Sequence, residues 1–221
     1  MSQNEAATES LADSPVSIYE RFTKLYDLMF RFNGYGRSLE RYLREAHLPL
    51  PAGARILDAG CGTGLLTLAL LRVLRRPADI TAVDLSGRSL QTARRAVRRL
   101  STHLRHRVAF VRADALSLPF PADSFDLVVT SGVLEYLPLG AGLGELARVL
   151  APGGHLVFLP VRPSPATRLL EIMFRFKAHP PREVSEATAR LFSVVEHHRF
   201  HPFEPIGWTK SVVLAQKQSG V

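Results

Sequence analysis

Apolar and polar positions along the chain fall into two regimes. From Ile18 to Phe32 the residues Ile18, Phe22, Leu25, Tyr26, Met29 and Phe30 recur at spacings of three and four, which predicts an amphipathic helix. Asn33-Gly34-Tyr35-Gly36 breaks it, a second helix is expected over Ser38–Ala46, and Pro49-Leu50-Pro51-Ala52-Gly53 separates both from the rest of the chain. After Arg55 the pattern changes to short apolar runs, ILDAG, ITAVD, VAFVRAD, FDLVVTS and HLVFLPV, apolar on both faces as buried parallel strands are. Between them, Leu65–Leu74, Ser89–Leu100 and a segment near Leu143–Leu150, ahead of Pro152-Gly153-Gly154, are expected helices. That alternation predicts an α/β fold, a doubly wound and mainly parallel sheet with helices on both faces. The last third is less regular. Helices are expected over Ala166–Phe176 and Val184–Leu191, then an antiparallel pair of strands, Phe192–Arg199 and Thr209–Gln216.

Length and composition narrow the class. With 221 residues, 46% of them hydrophobic, the chain can build one full core and is too short for two ordinary domains. Residues 1–15 are polar, lack an apolar period and read as a flexible tail, leaving 16–221 as one domain. The start has no basic and apolar signal, and Cys61 has no intrachain partner, so cytoplasm is the expected compartment. The longest apolar stretch, Gly64–Leu74, falls well short of the roughly 20 residues that cross a bilayer. A net charge of +8 predicts general attraction to polyanions, and because the arginines are spread along the whole chain it does not by itself define a nucleic-acid site.

The informative segment is Ile56-Leu57-Asp58-Ala59-Gly60-Cys61-Gly62-Thr63-Gly64, where the first strand turns into a helix. Three alternate glycines leave the backbone bare, so that a nucleotide-like ligand can approach the main chain and the helix N-terminus. In the dinucleotide pattern G-x-G-x-x-G the third glycine would stand where this chain has Leu65, which disfavours NAD and FAD. Two further acids end later strands. Asp84 is placed to accept hydrogen bonds from ribose hydroxyls, or to cap the helix beginning near Ser86. Asp114 is placed to accept from an adenine amino group, or to begin a turn. Asp58 either faces the polar end of the ligand or orders the loop.

The run ILDAGCGTG, then AVDLS, then RADALSLPFPADSFDLVVTSGVLEYL, then LARVLAPGGHLVFL resembles the class I S-adenosylmethionine-dependent methyltransferases over about Arg55–Pro160. The resemblance implies a Rossmann-like, seven-stranded sheet in which the strand Thr209–Gln216 inserts antiparallel between two neighbours. It implies S-adenosyl-L-methionine as cofactor, with Asp58, Gly60, Gly62 and Gly64 at its methionine part and Ser131 beside the amino group. Asp84 would hold the ribose, Leu85 would lie beneath the adenine, and Asp114 with Ala115 would contact its edge. Cys61 would be a small residue fitting the cofactor loop rather than a nucleophile. Residues past Ser131 face the acceptor in that family, which makes Glu135 and Tyr136 substrate candidates. Tyr136 stands where many members carry histidine, and a phenol is a poor base near neutral pH.

The acceptor is read from weaker signals. Tyr26-Asp27-Leu28-Met29 with Gly34-Tyr35-Gly36-Arg37 resembles the N-terminal region of quinone-biosynthesis C-methyltransferases and, more loosely, of phospholipid N-methyltransferases. It implies a helical lid over 16–48, with Tyr26 covering the cofactor. Leu169 to Lys177 mixes large apolar and basic residues within 161–192, where the family varies its substrate cap, and predicts a small or lipophilic acceptor or an anionic membrane contact. Arg94, Arg95, Arg98 and Arg99 form a basic helix face that either meets headgroups or is simply solvated. The chain lacks an N-P-P-[FY]-like run after the fourth strand and a Pro-Cys nucleophile, which lowers RNA or DNA as acceptor. His197, His198 and His201 do not suggest a metal, because adjacent strand residues point to opposite faces. The competing readings are a non-catalytic S-adenosylmethionine-binding partner protein, an RNA methyltransferase and an NAD-dependent oxidoreductase.

Overall fold

A computed structural model describes residues 34–46, 48–100 and 106–218. The expected helix over Ile18–Phe32, the tail and Tyr26 lie outside the described residues. Seven strands form one sheet: β1 (Ala54–Ala59), β2 (Ala78–Asp84), β3 (Arg107–Arg112), β4 (Phe125–Ser131), β5 (Leu150–Leu159), β6 (Phe192–His198) and β7 (Val212–Lys217), in the order β3-β2-β1-β4-β5-β7-β6. The first five run parallel, and β7 lies antiparallel between β5 and β6. The described helices are α1 (Tyr35–Glu45), α2 (Leu65–Val73), α3 (Gly87–Leu100), α4 (Leu139–Val149), α5 (Pro165–Phe174) and α6 (Pro181–Ala189).

Alternation along the central strands assigns side chains to two cores. Ile56, Leu127, Val129, Val157 and Leu214 pack with α1 and α2 on one face. Leu57, Val128, Leu156, Phe158 and Val213 pack with α4 and α6 on the other. Both faces are closed, which is why these strands read as unbroken apolar runs. From β1 the chain proceeds outward to β2 and β3, then returns to β4 on the opposite side of β1. The ends of β1 and β4 therefore flank the crevice where open α/β sheets bind ligands.

Several boundaries differ from those expected, for local reasons. Gly34, at φ 77°, admits the chain directly into α1 at Tyr35, so the break is shorter than Asn33–Gly36. Helix α4 begins at Leu139, four residues early, because Gly140, Gly142 and Gly144 weaken the propensity signal there. Gly142 is a packing requirement, since a Cβ would stand 2.7 Å from Leu134 Cδ2. Strand β5 begins at Leu150 rather than at His155, takes in Pro152-Gly153-Gly154 and absorbs them in a register shift between Phe125 and Leu127. A short 3-10 helix, Pro205–Trp208, occupies the residues before β7, which starts at Val212 rather than Thr209. His198 lies against the rings of Tyr42 and Phe200, with centroids 4.9 and 5.0 Å away.

Candidate active site

The loop after β1 turns through Gly60, Gly62 and Gly64 at φ 71°, 53° and 90°, conformations that side chains with a Cβ rarely adopt. Asp84, at the end of β2, straps this loop to the next turn. Its Oδ2 accepts from Gly62 N at 2.8 Å and its Oδ1 from Ser86 N at 2.8 Å. The cap of α3 falls instead to Ser86, whose Oγ accepts from Ser89 N at 3.2 Å. Asp114 lies two residues past β3 and orders its own turn, Oδ1 accepting from Leu116 N at 2.9 Å.

Behind the loop, Asp58 is 1% exposed. Its Oδ2 accepts from Thr67 Oγ1 at 2.5 Å, while Oδ1 has no hydrogen-bond partner among the described residues. Burial pushes its carboxyl up to about 7 against the opposing Thr67 hydrogen bond, with Asp84 pushing it further. A carboxyl raised in the fold binds its proton more tightly there than in the unfolded chain. The stability this gives is complete below about pH 4 and is lost as pH rises through about 7. Asp58→Asn is therefore expected to gain in melting temperature on the wild type between about pH 5 and 8, and a difference that stays constant over that range refutes the assignment. Burial, with Asp58 and Asp84 nearby, raises the Cys61 thiol, which is the opposite of nucleophilic activation.

Gly60, Asp84, Leu85, Asp114, Ala115, Ser131 and Tyr136 line one cavity of about 310 Å³ at the crevice between β1 and β4. Asp58, Cys61, Gly62, Gly64 and Glu135 are not among its lining residues, though each except Gly64 is next to or within two residues of one that is. Glu135 is buried, with Val161 N donating to its Oε1 at 2.5 Å, and is not itself a lining residue. Tyr136 donates its hydroxyl to Phe174 O at 3.3 Å, and burial, reinforced by Glu135, raises its phenol further. Tyr35, from α1, meets Ser131 Oγ at 3.2 Å with its hydroxyl pushed up to about 12 by burial, partly offset by that hydrogen bond.

Apolar side chains share the lining of this cavity with Asp84 and Asp114, among them Val133, Leu170, Phe174 and Phe176. Sequence reasoning placed the segment carrying the last three near the substrate. It missed Tyr35 and Lys210. Tyr35 was taken for part of a break, and Lys210 sits among polar residues before a strand with nothing to announce that it is 2% exposed in the cavity wall.

A parallel sheet with a glycine loop at its switch point and acids at the next two strand ends defines the doubly wound class that binds nucleotide-like cofactors. A methyltransferase-domain family model matches residues 57–158. The chain is 34% identical to a demethylmenaquinone methyltransferase of Lactiplantibacillus plantarum, over 80% of each chain. It is 38% identical to a demethylmenaquinone methyltransferase of Thermus thermophilus, over 67% of this chain and 66% of that one, slightly under two thirds of that relative's length. A geranyl diphosphate C-methyltransferase of Streptomyces coelicolor, solved with S-adenosyl-L-homocysteine, shares the fold at a TM-score of 0.64 and 19% identity, covering 82% of this chain and 80% of that one. The chain belongs to the class I S-adenosylmethionine-dependent methyltransferase family. Among the described residues no helix is long and apolar enough to cross a membrane.

Proposed function

We propose that this protein uses S-adenosyl-L-methionine to methylate a lipophilic aromatic acceptor of the quinone-precursor kind. The observation that carries the reading is one cavity lined both by Asp84 and Asp114 and by apolar and aromatic side chains such as Leu170, Phe174 and Phe176. Relatives named demethylmenaquinone methyltransferases support the acceptor class.

The residues present fit the cofactor. Asp58 keeps a buried, unpartnered carboxylate oxygen behind a glycine loop with no side chain at Gly60, Gly62 or Gly64 to obstruct it. Asp84 would hold the ribose, Leu85 and Ala115 the faces of the adenine, Asp114 its amino edge, and Ser131 with Asp58 the amino-acid end. Tyr26 is assigned to the covering lid over 16–48. The cofactor supplies a methyl carbon already activated on a sulfonium, so the protein needs mainly to hold an acceptor atom within about 3–3.5 Å. The chain's own contribution is a dry wall, with Tyr136 engaged by Phe174 O and thereby unavailable as a base.

Segment 161–192 acts as the acceptor cap in this reading. Helix α5 turns Leu170 and Phe174 into the cavity and leaves Leu169 and Ile172 63% and 79% exposed beside Arg168 and Arg175. An apolar and basic outer face suits an anionic bilayer from which a lipophilic acceptor is drawn. The test is methyl transfer from labelled S-adenosylmethionine to demethylmenaquinol carried in neutral or anionic vesicles. Methylated product, faster from anionic vesicles, is expected. S-adenosylhomocysteine binding without product overturns the acceptor, and no binding at all overturns the enzyme reading.

A further inference from the structure

Lys210 is the one cation among the described residues lining the cavity, and it is held there by backbone rather than by an acid. Its N–H donates to Ile206 O at 2.8 Å, and it pairs with Val161 in an isolated β-bridge. Among the described residues its Nζ donates one hydrogen bond, to Leu159 O at 3.3 Å, although an ammonium carries three donors. Burial draws its pKa down, and Glu135 draws it partly back up. The same Val161 that pairs with Lys210 donates its N–H to Glu135 Oε1, and Glu135 Oε2 has no hydrogen-bond partner among the described residues. The end of β5 and the turn before β7 thus hold a buried acid and a buried cation close together at the cavity wall, with no direct ion pair between them among the described residues. Tyr136 stands in the same wall, and Tyr35 with Ser131 is the remaining titratable group bearing on Glu135. A buried ammonium with spare donors is costly unless a partner arrives with the ligand.

We propose that Lys210 anchors an acidic hydroxyl oxygen of the acceptor in its anionic form, with Glu135 balancing the lysine's charge before the acceptor binds. The inference rests on the acceptor reading above and deepens it: the site selects acceptors bearing an ionisable hydroxyl over hydrocarbons of the same shape. An aliphatic alcohol would gain little from this contact, whereas a phenolic or enolic oxygen gains a charge-assisted hydrogen bond in a water-poor wall.

The test is fluorescence titration of the full chain, saturated with S-adenosylhomocysteine, with 1-naphthol and with naphthalene. The wild type is expected to prefer 1-naphthol by about tenfold, the scale of one charge-assisted hydrogen bond, and to show naphtholate absorbance in the bound state. Lys210→Met is expected to lose that preference and that absorbance while still binding naphthalene, and Lys210→Arg to retain most of both. A wild type with no preference overturns the proposal even if the methionine variant does not fold, and so does a folded methionine variant that keeps it. A wild type that prefers 1-naphthol but never methylates demethylmenaquinol upholds the Lys210 assignment and rejects the quinone acceptor. One that methylates demethylmenaquinol without preferring 1-naphthol does the reverse.

Discussion

Replacing Gly60 by alanine is expected to lower the melting temperature by roughly 5 to 15 °C and to abolish measurable S-adenosylhomocysteine binding. Two costs coincide there. At φ 71° an alanine sits in the left-handed region, at about 1–2 kcal/mol. Its methyl would also stand 2.5 Å from Val133 Cβ and 2.9 Å from both Val133 methyls. No rotamer of Val133 relieves this, because the nearest atom is its Cβ, fixed by the backbone, and overpacking adds about 1–3 kcal/mol. Gly53 supplies the internal control. It has a similar φ of 74° but open space around it, so Gly53→Ala is expected to show the backbone cost alone. Adding Val133→Gly to the Gly60 variant should restore the packing part and leave the backbone part. Equal melting points for the two alanine variants would show that the approach to Val133 carries no weight.

Asp84→Ala is expected to weaken S-adenosylhomocysteine roughly 10- to 150-fold by calorimetry, about 1.5–3 kcal/mol, the scale of hydrogen bonds to a charged group. The carboxylate has a double task. It already holds Gly62 N and Ser86 N, and it faces the cavity where ribose hydroxyls would compete for its remaining lone pairs. Removing it therefore takes away the contact and loosens the loop that presents the other contacts. Asp84→Asn, which keeps one oxygen for one of the two backbone amides, should fall between. Affinity unchanged in a folded alanine variant would refute the ribose assignment.

The strands and the crevice were legible because buried parallel strands advertise themselves as apolar runs, and because a ligand loop needs glycine where few other residues fit. Of the alternatives to ligand binding, the turn at Asp114 is found and the helix cap at Asp84 is not, since Ser86 takes it; both acids nevertheless order backbone and line the cavity. Glu135 was legible as a substrate candidate by its place after β4, but not as a buried acid bonded to Val161 N, because that depends on where β5 ends in space. Lys210 was not legible for the same reason. Its burial is created by Val161 and the 3-10 helix Pro205–Trp208, segments distant in the chain whose meeting no local pattern records. Helix starts were misplaced where glycine performs a packing task, as at Gly142, since propensity counts that residue only as a cost.

Strand β7 carries a consequence for synthesis. It comes after β6 in the chain and yet sits between β5 and β6, pairing with both. A nascent chain emerging in order presents two open strand edges, those of β5 and β6, that cannot pair with each other across the gap left for the missing partner. Val212–Lys217 acts as a keystone, and until it pairs the sheet keeps the edges of β5 and β6 uncovered, backbone that can pair with other chains.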